Sequence, residues 1–509
     1  MKTIKIFICL LFVIAFLYPE LSAQTVISSV VVDSATQEGI PYAAVGFAGD
    51  NKISTICSEA GEFKLNIGEK KTTDSITAVC VGYKSRTIAV KDIKDRIELA
   101  QSVKVLKNVV VLDKELSAEE IIEKAKASID SIYEMGYSKQ RTFVRQTSIL
   151  KVTKLGYKIK KSTIPEINNA FMDTLCSYIP EKNILCQEAL CDLYASLLKP
   201  AGSMKHDFLK SYAISPSGDV QNINLQFTDK MEKILKERIK RDSYFKIRSG
   251  IIGTTVGKEE GGMDSLISEA KAKELDEEAN EEAKNTDFVE SIKSGVLQSN
   301  RRLFIDKSGD LDFIVKNKKY DFEKVDFAVF GNELAYKISF TPKGGARLEG
   351  TVFINIDDYG IMRVEYENVK PMSKFNLFGM ELNVFRYKGI MMFEKNQSAK
   401  YFLKYADHTE VAYMRIDRPL TIIEKNKHVV GRRKQNQVSF DFDLSGVGEN
   451  KTEYIAFDNE AITKQDYGSK QESEFRGYEY MKKYDPSFWE GYNIIEPNKL
   501  MNEYKNIKE

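Results

Sequence analysis

Acid–base and metal chemistry near neutral pH most often needs an imidazole, and this chain of 509 residues has three: His206, His408 and His428. No two of them stand at metal-ligand spacing, and no H-E-x-x-H occurs. His408 follows Asp407, and an Asp-His pair could orient an imidazole for base catalysis. No serine or cysteine nucleophile can be assigned to that pair and no G-x-S-x-G occurs, so His408 is expected to be a turn residue. His206, within Met204-Lys205-His206-Asp207, reads as a surface histidine near a loop. His428 precedes Arg432-Arg433-Lys434, a basic group that fits a phosphate or lipid headgroup but is read here as a solvated hairpin. Neither a Walker A loop nor G-x-G-x-x-G is present, so a nucleotide lacks its cradle. Carboxylates are plentiful, but nothing in their spacing selects a glycosidase pair. The expectation is a protein without catalytic, cofactor-binding or metal-binding residues. A hydrolase acting on glycans or peptides is the alternative, supported if carboxylates, or Asp407 and His408, converge in a cleft.

Cysteine chemistry is equally sparse. Apart from Cys9 there are five: Cys57, Cys80, Cys176, Cys186 and Cys191. An odd number leaves at least one thiol unpaired. Cys186 and Cys191 lie on opposite faces of a strand, or about 140° apart on a helix, and neither geometry closes a disulfide. No C-x-x-C occurs, and most of these residues are expected to be small buried hydrophobes.

Composition sets the class. Hydrophobic residues are 42% and charged residues 29%, which is globular. Lys plus Arg (75) balances Asp plus Glu (74), against the phosphate-neutralising excess of a nucleic-acid binder. Residues 1–23 read as a signal peptide: Lys2 and Lys5, an apolar run from Ile6 to Tyr18, and Leu21-Ser22-Ala23 before a cut after Ala23. The expected location is exported, in the periplasm or associated with the outer membrane. No later stretch reaches 18 apolar residues, so no transmembrane helix is expected in the mature chain.

The elements that must carry any site are mainly strands. From Val26 to Leu112, strands are expected at Val26–Val32, Pro41–Phe47, Ile53–Cys57, Glu62–Ile67, Ser75–Val81, Lys84–Val90 and Val109–Leu112, with turns at about ten-residue spacing. Gly61 and Gly82 stand where positive φ is needed. The pieces Val31-Val32-Asp33, Gly39-Ile40-Pro41-Tyr42-Ala43-Ala44-Val45, Glu59-Ala60-Gly61-Glu62-Phe63, Val81-Gly82-Tyr83 and Leu106-Lys107-Asn108-Val109-Val110-Val111 resemble the carboxypeptidase-regulatory-like, prealbumin-like domain of exported Bacteroidetes proteins. Ser29 departs from that pattern, where the family usually has glycine. The resemblance implies a non-catalytic β-sandwich over residues 24–112 that docks or assembles. Carbohydrate binding follows only by fold analogy.

Beyond it, Ser117-Ala118-Glu119-Glu120 is a capping box, and Ile121, Ile122, Ala125, Ile129 and Ile132 continue as an amphipathic helix. Gln140–Val152 reads as extended, Asn183–Leu198 as helix or strand ended by Pro200-Ala201-Gly202, and Phe227–Tyr244 as a basic helix. Residues 258–294 are acidic and poor in aromatics, read as a solvated helical insertion rather than an acidic binding patch. From Arg301 to about Phe457 the period is two, with the clearest hairpin at Leu348–Val364. Arg141-Thr142-Phe143-Val144-Arg145-Gln146, Gln187-Glu188-Ala189-Leu190, Glu349-Gly350-Thr351-Val352-Phe353-Ile354 and Phe488–Pro497 resemble uncharacterised Bacteroidetes envelope proteins. Elsewhere in that group the hairpin is similar to sheets of the periplasmic lipoprotein-carrier type, which hold acyl chains.

The fold class expected is mainly β / α+β. The N-terminal β-sandwich is followed by an α+β region at 113–300 with the helical insertion, a curved antiparallel sheet at 301–460, and a C-terminal tail at 461–509. The function expected is a non-catalytic envelope protein whose sheet binds a protein partner or an apolar ligand, with a periplasmic lipid or lipoprotein carrier as the alternative. No nucleic-acid partner and no cofactor are expected.

Overall fold

The structure is a computed structural model; it describes residues 25–68, 70, 73–102, 116–177, 179–196, 204–214, 233–234, 237–240, 243–256, 277–301, 304, 309–428, 433–497 and 501. The chain divides into two compact units: Met1–Val111 with Ala328–Leu334 and Asp485–Asn502, and Leu112–Phe327 with Ala335–Tyr484 and Glu503–Glu509. The signal segment 1–23, the strand expected at Val109–Leu112 and Pro200-Ala201-Gly202 lie outside the described residues.

Among its described residues, the N-terminal part of the first unit holds β1 (Val26–Asp33), β2 (Ala44–Phe47), β3 (Asp50–Ile56), β4 (Glu62–Asn66), β5 (Ser75–Val79), β6 (Arg86–Ala89) and β7 (Arg96–Leu99). They form two sheets, β4-β1-β7 and β3-β2-β5-β6. Alternation decides which side chains meet: Val31, Phe63, Leu65 and Ile97 of one sheet share a core with Val45, Phe47, Ile76 and Ala78 of the other. Strand β7 escapes the sequence reading because Arg96-Ile97-Glu98-Leu99 offers only two apolar residues; it runs parallel to β1. Gly61 and Gly82 have φ of +79° and +80°, and a Cβ on Gly61 would meet the Val31 carbonyl at 2.4 Å. Asp33 ends β1 by accepting hydrogen bonds from Ala35 and Thr36 amides, Gln101 and Tyr83. Those bonds, Gln101's first, lower its pKa to about 2. Ser29 donates to the Lys94 carbonyl at 2.9 Å, so a hydroxyl at this departure is used. The tryptophan-centred run also belongs to this unit. Trp489 is buried, and Asn493 bonds both the amide and the carbonyl of Asn66.

The larger unit is mainly β with few helices. It comprises α1 (Ala118–Ile132), β8 (Tyr137–Ser162), α2 (Asn169–Ser177), β9 (Lys182–Ser196), β10 (Lys205–Ile214), the hairpin β11 (Ser243–Ser249) and β12 (Ile252–Val256), and α3 (Glu277–Arg301). There follow β13 (Tyr320–Phe330) and β14 (Glu333–Pro342), whose residues Ala328–Phe330 and Glu333–Leu334 fall in the first unit, then β15 (Leu348–Asn355), β16 (Ile361–Asn368), β17 (Ser373–Leu377), β18 (Met380–Lys395), β19 (Tyr401–Asn426), β20 (Lys434–Ala456), β21 (Glu460–Ala461), α4 (Lys464–Ser469) and β22 (Glu479–Met481). One sheet runs β13-β14-β15-β16-β18-β19-β20-β8-β9-β10-β22, with β11, β17 and β21 attached to β19, β18 and β8. The strands of 137–214 and of 320–456 are therefore one sheet rather than adjacent regions. Its centre is β19, β20 and β8, of 26, 23 and 26 residues, several times an ordinary strand.

The capping box forms as expected, Ser117 accepting from the Glu120 amide and Glu120 from the Ser117 amide. The ambiguous Asn183–Leu198 segment is strand β9 as far as Ser196, and Leu197 and Leu198 lie outside the described residues. Tyr244, expected in a basic helix, is in strand β11, and residues 215–232 lie outside the described residues. The acidic insertion is helical from Glu277, but it is more than a solvated arm. Phe288, Ile292 and Val296 are fully buried, Phe288 stacking on Phe475 and Tyr478 at 5.6 and 4.6 Å.

Candidate functional site

Side chains of a strand alternate between two faces, so the paired registers fix which residues share a side of the large sheet. One row crosses it as Tyr366, Gly389, His408, Thr452, Gln146 and Gln187, each the Cα partner of the next. Helix α3 lies on this face, since Ser291 is 2.5 and 2.6 Å from the amide oxygens of Gln146 and Gln187. A hydroxyl has one proton, so it donates to one of these two oxygens at a time. Gly295 lets the helix approach: a Cβ there would stand 2.3 Å from Gln146 Nε2. Gly389 does the same within the sheet, where a Cβ would stand 2.5 Å from the Tyr366 hydroxyl. The Tyr366 ring thus crosses β18 to reach His408 Nδ1 at 3.0 Å, and Tyr387 packs edge-on against the imidazole at 4.3 Å.

A cavity of about 330 Å³ opens beside α3, lined by Gln146, Gln187, Ser291, His408, Glu410 and Asn450 among others. That size lies within the range of small-molecule sites. Its lining is mostly amide and hydroxyl, with His408, Glu410 and Lys451 and a single aliphatic residue, Leu185. The next row, Glu410, Asn450, Ser148 and Leu185, completes its floor, Ser148 donating to Asn450 at 2.7 Å.

Along the same face of the same strands the chemistry then changes. The following three rows are Val384, Ala412, Gly448 and Leu150; then Phe375, Leu382, Met414, Gly446 and Val152; then Leu377, Met380, Ile416, Leu444 and Leu155. No charged side chain stands in them. Phe375, Leu377, Met414, Ile416 and Leu150 are all exposed. Contiguous apolar exposure of this kind is the chemistry of a candidate binding surface. The rows end at a more open cavity of about 550 Å³ lined by Leu155, Tyr157, Ile159 and Cys176 of α2 and β8.

The reverse face of these strands carries charge. Asp407, Glu453, Arg145, Glu188 and Tyr212 form one row. Arg145 is ion-paired with Glu188 and at 3.5 Å with Glu453, and Lys451 bridges Asp407 at 3.1 Å and Glu453 at 3.5 Å. All five charged residues are buried. Burial opposes the Arg145 charge, and the two carboxylates outweigh it.

The structure separates the Asp-His pair. Asp407 and His408 are neighbours in the middle of β19, not a turn, so they point to opposite faces: Asp407 to Lys451, His408 to Tyr366. The convergence that a hydrolase would need is not formed by them. His206 is not a surface residue but 1% exposed in β10; burial first, then Lys293, lowers its pKa to about 4. His428 is exposed beyond the end of β19, as is Arg433, while Arg432 lies outside the described residues. Cys57, Cys80, Cys176, Cys186 and Cys191 form no disulfide, and burial pushes Cys191 up to about 12. Cys186 and Cys191 do fall on opposite faces of one strand. Among the described residues, no group of three or more His, Cys, Asp or Glu side chains could hold a metal ion, and no helix is long and apolar enough to cross a membrane. Sequence reasoning missed Gln146, Gln187, Ser291 and Asn450. The usable signal was a charge in an apolar run, Arg145 after Phe143-Val144 and Glu188 before Ala189-Leu190, which marks two-sided strands.

No protein-family model and no curated protein matches the chain. Solved structures do align, at low similarity. A putative outer membrane lipoprotein-sorting protein domain from Vibrio parahaemolyticus has 11% identity and a TM-score of 0.20, covering 69% of this chain and 97% of its own. A LolA superfamily protein from Nitrosomonas europaea has 8% identity and a TM-score of 0.18, covering 70% and 99%. MucB, in the MucA/MucB complex of Pseudomonas aeruginosa, is represented by a match at 9% identity and a TM-score of 0.16, covering 65% and 93%. At these TM-scores the likeness carries no inference about what this chain does.

Proposed function

We propose that the larger unit is a non-catalytic binding body for an amphiphile, a molecule with a polar head and an acyl tail, in an exported envelope protein. The reading is that of a lipid or lipoprotein carrier, with the N-terminal sandwich serving docking or assembly. One observation carries it: along β8, β19 and β20 a polar cavity passes without interruption into three apolar rows on the same face. From His408 to Ile416 is about 26 Å at roughly 3.3 Å per residue. One leaflet of a bilayer is about 15 Å of hydrocarbon, so head and tail both have room. The cavity offers amides, hydroxyls, one imidazole and one carboxylate, no arginine, and one lysine, Lys451, whose ammonium is paired with Asp407 and Glu453 on the reverse face, which suits an uncharged or amine-bearing head better than a phosphate.

Native mass spectrometry of the protein purified under mild conditions, with uptake of a fluorophore-labelled long-chain fatty acid as a second readout, tests this. A co-purified acyl-bearing mass and saturable probe uptake are expected, and Leu150→Gln with Met414→Gln should abolish both. An empty protein that takes up no probe would overturn the reading.

A further inference from the structure

Two hairpin turns meet at the far end of the apolar rows. In β11–β12, Ser249 pairs with Ile252 and the two-residue turn is Gly250-Ile251, with Gly250 at φ +61°. In β17–β18, Leu377 pairs with Met380 and the turn is Phe378-Gly379, at φ +53° and +75°. Arg418 and Asp417 of β19 hold one each. The Arg418 guanidinium donates to the Ser249 hydroxyl at 2.8 Å and the Ser249 carbonyl at 2.6 Å. The preceding Asp417 amide donates to the Gly379 carbonyl at 2.7 Å, and a Cβ on Gly379 would lie 3.4 Å from Arg418 Cγ.

These turns present large apolar side chains to solvent. Ile251 is 87% exposed, Phe378 59% and Ile252 54%. Phe378 is more telling than its exposure. Both central residues of this turn have positive φ, which Asn, Asp and Gly adopt at least cost and a bulky aromatic adopts at most. A phenylalanine more than half exposed in that conformation gains little packing to offset the strain, so the ring there points to a contact outside the chain. Charge agrees. From Tyr244 to Val256 the only ionisable cations are Lys246 and Arg248, and from Lys370 to Met380 they are Lys370 and Lys374; neither stretch contains an acidic residue.

We propose that the Gly250-Ile251-Ile252 and Phe378-Gly379 turns form a membrane-docking edge that inserts into the surface of a bilayer bearing anionic lipid. This rests on the amphiphile-binding reading, because it places the lipid surface against the Ile416 and Met380 end of the apolar rows. Apolar tips flanked by basic residues are what an anionic interface recognises. The docked tips would give an acyl chain a path between bilayer and sheet that avoids water.

The test is flotation of the purified exported protein with phosphatidylethanolamine vesicles, with and without phosphatidylglycerol. Co-flotation with the anionic vesicles is expected, weakened by added salt. Phe378→Asn, and Ile251→Ser with Ile252→Ser, should each reduce it roughly tenfold or more, since each removes buried apolar surface. Phe378→Asn should melt at or above the parent temperature, which separates loss of docking from loss of fold. No flotation by the parent on any vesicle, or flotation unchanged in both variants, overturns the proposal; the first outcome assigns the tips to a protein partner. Fatty-acid uptake in the same variants should persist. Uptake without flotation would therefore remove the docking edge and leave the carrier reading standing, whereas flotation without uptake would remove the carrier reading alone.

Discussion

The two faces of β8, β19 and β20 invert the ordinary relation between polarity and burial. On one, five charged side chains from Asp407 to Glu188 are buried. On the other, Leu150, Met414 and Ile416 are exposed over a floor that includes Gly446 and Gly448. The buried charges are tolerable because each has an opposite neighbour across the strands, not because ion pairs in a low dielectric are themselves strongly stabilising. The exposed aliphatics cost solubility and add nothing to the fold. Stability is thus concentrated on the reverse face and the proposed ligand chemistry on the α3 face, so substitutions on the two faces should fail in different assays.

The strongest way to break that contrast is Arg145→Ala. It takes the buried guanidinium away from Glu188 and leaves Lys451 as the cation beside Glu453, and should cost about 3–5 kcal/mol in urea unfolding. Arg145→Met with Glu188→Leu, which removes opposite charges together, should cost far less; equal losses would show that the row acts by shape rather than charge. Next comes His206, neutral beneath α3 with Lys293, Asp207 and Glu472 around it. Its folded pKa of about 4 lies below the unfolded 6.5, so the unfolded chain takes up a proton first as pH falls. Stability should therefore decline from about pH 6.5 to about 4, by about 3 kcal/mol in total. His206→Phe, which can stack on Phe208, should flatten that slope, and an unchanged slope would assign it to other groups. The smallest effect on stability belongs to Gly295→Ala. The gain in helix propensity, about 1 kcal/mol, should roughly cancel the displacement of the Gln146 amide. Fatty-acid uptake should nonetheless fall, because the displaced amide fills the polar cavity.

Legibility followed the same divide. The sandwich strands were readable because Val26–Asp33, Glu62–Asn66 and Ser75–Val79 each bury one face and turn on a glycine or polar residue. The Ser117 capping box was equally local. The sheet of the larger unit was legible as β but not as one sheet, since nothing local pairs β8 with β20. His408 read as a turn because Asp407-His408 is polar on both sides, which is also how a strand between an ionic face and a polar cavity must look. His206 was misjudged because burial of a lone imidazole depends on α3, supplied some 80 residues later. Gln146, Gln187 and Asn450 have no motif; only cross-strand register brings them together.

The pairing of β8 with β20 also sets a schedule. Ser148 bonds Asn450, 302 positions along the chain. At about 5–20 residues per second of synthesis, the first edge waits roughly 15–60 s for its partner. Until then one edge of β8 and the apolar side of its later half lack the strand that flanks them in the finished sheet, the kind of edge to which other chains add. Delivery of this chain is therefore a problem of keeping an early strand from pairing elsewhere until the last long one arrives.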